Sequence, residues 1–319
     1  MTMKLAAILA AILVIGIGAY VVFDNNNGDN NSTIVADPDF GTVIVDDDYG
    51  TVEIVSYDPP NVTYQATANV GFVFVSWQDG TGTVIGTDTT ITVDSSAVIT
   101  ACFEPCSSRT VTYSWSCPVS FSGNTVVTET VSETVTYDNA DYITAESSDA
   151  VRQATVDDPT PVSLIDPDDL NVSTIAAYLT SITSGMTDLQ KVTVILYWVQ
   201  TAIIYETDLG LYGQTEYWAT PIECLFNAHG DCEDTAVLFC SIASAMGYQV
   251  ALVGFSDHMG AAIVVDGISD GQTYTSTDGT IYTYCETATD QAWLPGNISA
   301  SYANASYSLT EYTPQEVSG

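Results

Sequence analysis

Basic residues are what this sequence has least of. Its 319 residues include four lysines and arginines against 40 aspartates and glutamates, for a formal net charge of -36. Because no basic patch can be assembled from four scattered cations, a role in binding nucleic acid or an anionic membrane surface is excluded. The charge favours a solvated acidic surface of the kind suited to a salty or extracellular setting, and it could also steer a cationic substrate.

Histidine is scarcer still. An imidazole for catalysis or zinc binding can come only from His229 or His258. The seven cysteines include a cluster, Cys102, Cys106 and Cys117, with no histidine near it in the sequence. A disulfide within this cluster is therefore favoured over a zinc site, although the spacing does not fix any pairing. The odd number leaves at least one thiol free or intermolecular in an exported chain.

An uncharged run of 19 residues, Leu5 to Phe23, follows Lys4 at the N-terminus. As a helix it would extend about 28 Å, close to the roughly 30 Å of bilayer hydrocarbon, and it is longer than the core of a signal peptide. We therefore expect residues 1–23 to be a transmembrane anchor rather than a cleaved signal. The lysine before the run and the acids after it predict a single-pass protein of the cell membrane with its body extracellular.

The remaining chain divides into a linker and two domains. Residues 24–40 are rich in Asn, Asp and Gly and predict a flexible linker. Residues 41–106 contain short β-branched and aromatic runs separated by turn signals, which predict a small all-β module. Residues 107–319 begin with two alternating strands and continue with helices and strands around a core at about 165–298, so the predicted fold class is α+β.

Helix starts can be predicted in the second domain. Asp166 and Asp168 bracket the expected start of DLNVSTIAAYLTSIT, and Thr187 is expected to cap the next helix, whose apolar residues lie on nearly every face. After the second helix, a D-G turn at Asp278 and Gly279 predicts a hairpin. Its strands should share one antiparallel sheet with the runs QVALVGF and HMGAAIVVD.

The segment from Tyr205 to Gly230 is predicted to be a long loop. Long loops in compact domains are often functional, and this one holds candidates for the wall of a cleft: Tyr212, Gln214, Tyr217 and Trp218. A surface loop pinned by its aromatic residues is an equally compatible interpretation.

The stretch Gly230-Asp231-Cys232-Glu233-Asp234 opens an almost wholly apolar helix. It places Cys232 in the first turn, just after an aspartate that suits an N-cap. Free backbone N–H groups and the helix dipole favour a thiolate at this position, so we expect a lowered thiol pKa and a nucleophilic cysteine. A buried structural cysteine is the alternative.

A nucleophilic thiol needs a base, and His258, at the start of an apolar strand, is the candidate. An acid or amide must then fix the imidazole tautomer. Asp266 would lie about 26 Å along the same strand, which is too far, and Asp257 would point to the opposite face. Glu286, near the end of a different strand, can face the histidine across the sheet, and Asp290 is the reserve candidate.

In their order and spacing, the motifs GDCEDTAVLFCSIASAMGYQVALV, HMGAAIVV and YTYCETATDQAWLPG resemble the transglutaminase-like, papain-like cysteine-enzyme superfamily, most closely its archaeal membrane-attached branch. The resemblance covers residues 191–296 and implies a cysteine-bearing helix packed on an antiparallel sheet. It implies that Cys232 is the nucleophile, His258 the base and Glu286 the acid, where many relatives have Asp. It gives His229 no catalytic part. Residues 71–104 resemble the short β repeats of bacterial and archaeal surface proteins.

The expected function is that of a surface-exposed cysteine peptidase or amidase acting on a peptide or protein substrate at the cell envelope. The acyl group would pass to Cys232 as a thioester and then to water, with no metal or cofactor. An oxyanion hole would use the backbone N–H of Cys232 and a donor from the segment Tyr205 to Trp218. Cross-linking by transamidation, an inactive binding or adhesion module and a structural surface-layer component are the alternatives.

Overall fold

The computed structural model describes residues 21–24, 32–37, 41–46, 49–123, 125–146, 161–268, 270–289 and 292–313. The chain divides into two compact units, residues 1–108 and 109–319. Most of the predicted anchor, residues 1–20, lies outside the described residues, and Val21–Asp24 is a strand. Within the described ranges no helix is both long and apolar enough to cross a membrane.

The first unit is all-β, as predicted. It forms a six-stranded sheet in the order β1-β2-β3-β9-β6-β7 and a three-stranded sheet in the order β4-β5-β8. The strands are β1 (Val21–Asp24), β2 (Ser32–Asp37), β3 (Gly41–Asp46), β4 (Gly50–Asp58), β5 (Asn61–Ala68), β6 (Phe72–Asp79), β7 (Val84–Gly86), β8 (Thr90–Asp94) and β9 (Val98–Pro105). Both sheets contribute to one buried core, with Val45 from β3, Tyr64 from β5 and Trp77 from β6.

Strands β1 and β2 differ from the sequence-based expectations, since β1 begins at Val21, within the expected anchor. Strand β2 falls within residues 24–40, which were predicted to be a flexible linker. Its Thr-Ile-Val run pairs in antiparallel register with the Val-Ile-Val run of β3, from Thr33 opposite Val45 to Val35 opposite Val43. The pairing depends on backbone hydrogen bonds to β3, which lies outside residues 24–40, so the composition of that segment does not reveal it.

The second unit mixes helices and strands. They are β10 (Ser108–Ser122), β11 (Thr125–Asp138), α1 (Asn139–Glu146), a 3₁₀ turn (Pro161–Leu164), α2 (Leu170–Ile182), α3 (Asp188–Ala202), β12 (Ile204–Tyr205), α4 (Asp208–Leu211), α5 (Pro221–Asn227), β13 (His229–Gly230), α6 (Cys232–Ala245), β14 (Val250–Gly254), β15 (Met259–Ile263), β16 (Thr273–Thr275), β17 (Ile281–Cys285) and β18 (Ser308–Glu311). The α+β fold class is therefore confirmed.

Helix α6 and a five-stranded sheet form the centre of this unit. The sheet has the order β16-β17-β15-β14-β18, and every neighbouring pair is antiparallel. Helix α6 is buried from Glu233 to Ala243 and packs against β14, β15, α2 and α3. The D-G turn joins β16 to β17, so the predicted hairpin and the shared antiparallel sheet are confirmed.

A long ribbon of β10 and β11 packs beside the helices. Its strands run in opposite directions, since Thr110 bonds Thr136 and Thr112 bonds Thr134 through their hydroxyls, both at 3.0 Å. More buried and exposed residues alternate along residues 108–115 of β10 and 130–138 of β11, so this part of the ribbon buries one face, in line with the alternating strands predicted here. The Tyr113 hydroxyl donates to the carbonyl of Leu225 at 2.6 Å and so fastens the ribbon to α5.

The N-cap of α3 agrees with the prediction from the sequence, and the N-cap of α2 differs from it. Thr187 caps α3 in a capping box with Gln190, as predicted. Helix α2 is capped by Asp169, whose carboxylate accepts the N–H groups of Asn171 and Val172. Asp166 instead accepts the N–H groups of Asp168 and Asp169 at 3.1 Å and closes the preceding turn. All seven cysteines are unpaired, so the disulfide considered within the 102–117 cluster is absent.

We expect Asp169→Ala to lower the free energy of unfolding by about 1 kcal/mol, because two N–H groups at the start of α2 lose their acceptor. Asp168→Ala is the matched control, since Asp168 is the exposed neighbour of the cap. Urea titration followed by tryptophan fluorescence measures both. Equal losses in the two variants would show that the cap does not contribute.

Candidate active site

Cys232 is the first residue of α6. The backbone N–H of Asp231, its N-cap, donates to Oδ2 of Asp234 at 3.3 Å. Gly230 precedes this cap and has no room for a side chain. A Cβ there would lie 2.8 Å from the Asp234 Cβ and 3.1 Å from the Cys224 sulfur. The glycine therefore allows the chain to pass this close to the helix it is about to enter.

The Cys232 thiol lies among carboxylates rather than cations. It donates to Oε2 of Glu233 at 3.0 Å, and the backbone N–H of Met259 donates to the sulfur. Burial, followed by the charges of Glu233 and Asp231, raises the pKa of the Cys232 thiol well above its ordinary value. The expected lowering by the helix start is therefore wrong: burial and neighbouring charge outweigh it.

His258 lies in the turn between β14 and β15, closed by a bond from the Phe255 N–H to the His258 carbonyl at 2.8 Å. Its Nε2 is 3.0 Å from both carboxylate oxygens of Glu286. The two side chains are 12% and 5% exposed. Since a carboxylate only accepts hydrogen bonds, Nε2 carries the proton in the neutral ring. Nδ1 is then the nitrogen that can accept a second proton.

Glu286 follows β17 directly and is held from several sides. Its Oε2 accepts the Tyr284 hydroxyl at 3.0 Å and its Oε1 accepts the Ala288 N–H at 3.3 Å. Its own carbonyl accepts the side-chain amide of Gln200, on α3, at 2.6 Å. These contacts fix the carboxylate before any substrate arrives. Neither Tyr284 nor Gln200 can be recognised from the sequence as part of the site, because their roles depend on contacts between separate elements.

Aromatic rings hold the imidazole in place. Tyr302 stacks on His258 with ring centroids 4.8 Å apart and an angle of 18° between the planes. Phe255 lies nearly parallel to His258 at 6.2 Å and contacts Tyr302 at 4.8 Å. No periodic pattern points to Tyr302, because it lies in an irregular segment 44 residues after His258.

The segment Tyr205 to Gly230, predicted to be a long loop, contains α4, α5 and β13. A capping box joins Thr220 and Glu223 at the start of α5. The Thr-Pro-x-Glu pattern at 220–223 is the signal that could have revealed this helix.

The proposed cleft residues within this segment have different environments. Tyr212 and Tyr217 stack at 3.8 Å, and the Tyr217 hydroxyl bonds Glu223 inside the fold. Both rings are thus packing residues. Gln214 is exposed, and the Trp218 indole N–H donates to Glu216 at 2.6 Å. His229 lies in β13, with Nδ1 2.8 Å from the Asn227 carbonyl, and Asp290 lies outside the described residues.

Further carboxylates surround the start of α6. Asp208, Asp231 and Asp234 each bring one oxygen within 4.8 Å of the others, and Asp208, Glu216 and Glu233 do the same. Burial raises the pKa of Asp208 to about 7 and that of Asp231 to about 8. The Cys232 thiol forms a third such group with Asp231 and Glu233, and these three groups are the candidates for holding a metal ion among the described residues.

Together, the buried cysteine helix, the antiparallel sheet and the histidine beside a carboxylate resemble the core of papain-like enzymes. Residues 175–296 match the family model of the transglutaminase-like superfamily, so the second unit contains a transglutaminase-like domain. The match spans Cys232, His258 and Glu286.

Other comparisons add less. No curated protein matches the chain. One similar solved structure is a “putative protease” from Parabacteroides distasonis, with 15% identity and a TM-score of 0.29 over 76% of this chain and 62% of that one. The chain therefore spans less than two thirds of that protein.

Removing the charge of Glu233 should activate the thiol. In Glu233→Gln the carboxylate no longer disfavours the thiolate, so the Cys232 pKa falls, and each unit of that fall raises the thiolate fraction at neutral pH about tenfold. The rate of Cys232 alkylation as a function of pH measures this. Glu216→Gln, at an exposed position, is the control. An unchanged pH profile in Glu233→Gln would contradict the assigned cause.

Proposed function

We propose that this chain is a cysteine peptidase or amidase that cleaves peptide or amide bonds through Cys232, His258 and Glu286. The observation that carries the proposal is the placement of His258. Its Nε2 is held by both oxygens of Glu286, and the N–H of the next residue, Met259, contacts the Cys232 sulfur. The imidazole is therefore oriented by the acid on one side and tied through the backbone to the thiol on the other.

The raised thiol pKa implies that the resting enzyme holds a neutral thiol. In the proposed reaction, Nδ1 of His258 takes the thiol proton as the sulfur attacks the substrate carbonyl, and Glu286 stabilises the resulting imidazolium. The N–H of Met259 stabilises negative charge on the sulfur before the bond forms. The backbone N–H of Cys232, at the first turn of α6, is a candidate donor to the oxyanion.

Attack by the Cys232 sulfur on the carbonyl gives a tetrahedral intermediate. This intermediate then collapses with loss of the amine, which receives the proton from His258. This leaves a thioester between the substrate acyl group and Cys232. Water attacks the thioester with His258 as base, the acid product leaves, and the thiol is restored. The second step makes the enzyme a hydrolase, since a transamidase needs a shielded site for an amine in place of water.

The proposed setting is the cell envelope. The part of the uncharged run that precedes strand β1 at Val21 would attach the protein to the membrane with the two units outside, and the substrate would be an envelope peptide or protein. The 19-residue uncharged run before an acidic segment and the net charge of -36 support this setting.

The triad can be tested against a matched histidine. We expect Cys232→Ala to abolish hydrolysis of envelope peptides, and His258→Asn and Glu286→Gln to lower turnover by about 10²–10⁴-fold. His229→Asn is the control, since His229 bonds a backbone carbonyl instead. Peptide release followed by mass spectrometry is the measurement. Unchanged hydrolysis in Cys232→Ala would overturn the proposed triad.

The same assay separates the alternatives. An isopeptide product formed with an added primary amine would indicate a transamidase. If the wild-type chain forms no product from envelope peptides with either water or the added amine, an inactive binding module is indicated instead.

Tyr284 should act as a positioning residue. Tyr284→Phe removes the hydroxyl that bonds Glu286, so we expect turnover to fall several-fold with little change in KM, because the phenol orients the acid rather than the substrate. Tyr282→Phe is the matched control on the same strand, where the hydroxyl bonds Glu311 at 2.9 Å. Steady-state kinetics of both variants test this. A rise in KM alone would indicate a substrate contact.

A further inference from the structure

Three aspartates from two helices converge beside the start of α6. Asp208 is the first residue of α4, Asp231 is the N-cap of α6 and Asp234 lies in its first turn. One carboxylate oxygen from each lies within 4.8 Å of the other two. Asp208 also approaches Glu216 and Glu233 within the same distance. Asp208 is thus the carboxylate shared by the two acidic groups.

The buried carboxylate of Asp208 is only half satisfied. The residue is 4% exposed, and its Oδ2 accepts the Tyr217 N–H at 2.6 Å. Among the described residues, no donor lies within hydrogen-bond distance of its Oδ1, and the same is true of Oδ1 of Asp231. A buried carboxylate oxygen without a donor is costly, so two such oxygens in one cluster point to a missing electropositive partner.

No basic side chain described in the structure supplies that partner. Lys191 bonds Asp188 at 3.1 Å, and Arg109 lies over the Phe226 ring at 5.3 Å. The positive end of α6 contributes only about half an elementary charge, which is far less than the charge of three carboxylates. An added proton or an added cation is therefore required to neutralise the cluster.

We propose that Asp208, Asp231 and Asp234 bind a divalent cation of the hard, oxygen-seeking class, with calcium as the best fit. Calcium binds oxygens at about 2.3–2.6 Å, so ligands on opposite sides of the ion are about 4.6–5.2 Å apart. One oxygen from each of the three carboxylates lies within 4.8 Å of the other two, so a single ion can contact all three. Magnesium demands near-ideal octahedral geometry and keeps several of its waters, so a set of protein carboxylates suits calcium better.

The cation would join α4 to the helix that carries Cys232. Asp234 already accepts the Ala219 N–H at 2.8 Å, and Asp208 accepts the Tyr217 N–H. The backbone at 217–219 thus orients two of the three ligands. With the ion bound, segment 208–219 and the start of α6 form one rigid body, with Glu216 and Glu233 near enough to complete the coordination.

The experiment is a calcium-binding titration of the full chain by equilibrium dialysis, at about 0.15 M salt so that diffuse binding to the acidic surface is screened. We expect one saturable ion per chain and a rise in Tm on binding. Asp208→Asn should weaken binding at least about tenfold, because ligand charge sets affinity at such sites. Asp168→Asn, an exposed control with the same charge change, should bind as the wild type does.

Two outcomes of the calcium titration would overturn the proposal. One is the absence of saturable binding, which would mean that protons neutralise the cluster. The other is equal affinity in Asp208→Asn and Asp168→Asn, which would mean surface binding only. Terbium luminescence avoids reliance on a carboxylate variant that fails to fold. Trp218, bonded to Glu216, should sensitise bound terbium, so Trp218→Phe should lose the emission, whereas Trp293→Phe should keep it. Equal emission from the two tryptophan variants would likewise reject the site.

Discussion

Pairing between β15 and β17 is the constraint on which the site depends. Ala261 lies opposite Cys285, so Glu286 follows its strand at the place where His258 precedes the neighbouring strand. The two side chains meet because both strands end at the same edge of one antiparallel sheet. Gly260 makes room here, since a Cβ would lie 2.6 Å from a ring atom of Tyr284, the residue that holds Glu286.

Helix α6 is tied to the same sheet edge. The Thr235 hydroxyl bonds that of Thr287, just beyond Glu286, at 3.2 Å. The Met259 N–H contacts the Cys232 sulfur from the sheet side. Cys232 is therefore held by a buried helix, and His258 and Glu286 by the residues next to the ends of two buried strands, so the packed core limits how far the three side chains can move apart. The irregular segments add the aromatic contacts around the imidazole.

The electrostatics around the thiol follow from the acidic composition. Carboxylates surround Cys232, and no described lysine or arginine lies beside it to hold a thiolate in advance. In the proposed mechanism, reactivity therefore rests on proton transfer from the Cys232 thiol to His258 during attack. The carboxylates of Asp208, Asp231 and Asp234 add to the negative charge around the Cys232 thiol. Neutralising that cluster therefore changes the electrostatic environment of the thiol at the start of α6.

Local signals in the sequence were sufficient for much of the fold. The apolar run after Cys232 specified a buried helix, the D-G turn at Asp278 specified a hairpin, and Thr187 specified a helix start, because each depends on neighbours a few residues away. A local signal of the same kind, the capping box of Thr220 and Glu223, marks the start of α5. The aromatic residues around it favoured the prediction of a loop instead. The start of α2 was displaced to Asp169, since three nearby aspartates can each cap a turn.

The sequence by itself determined which groups are available: two histidines, a cysteine at the start of an apolar helix, and an excess of carboxylates that leaves few cations to pair with them. Only the tertiary structure decided how those groups behave. The direction of the Cys232 pKa, the bonding of Nε2 to Glu286 and the cluster around Asp208 all depend on through-space contacts. Charge, burial and hydrogen bonding act over a few ångströms, and residues that far apart in the chain come within that range only in the fold.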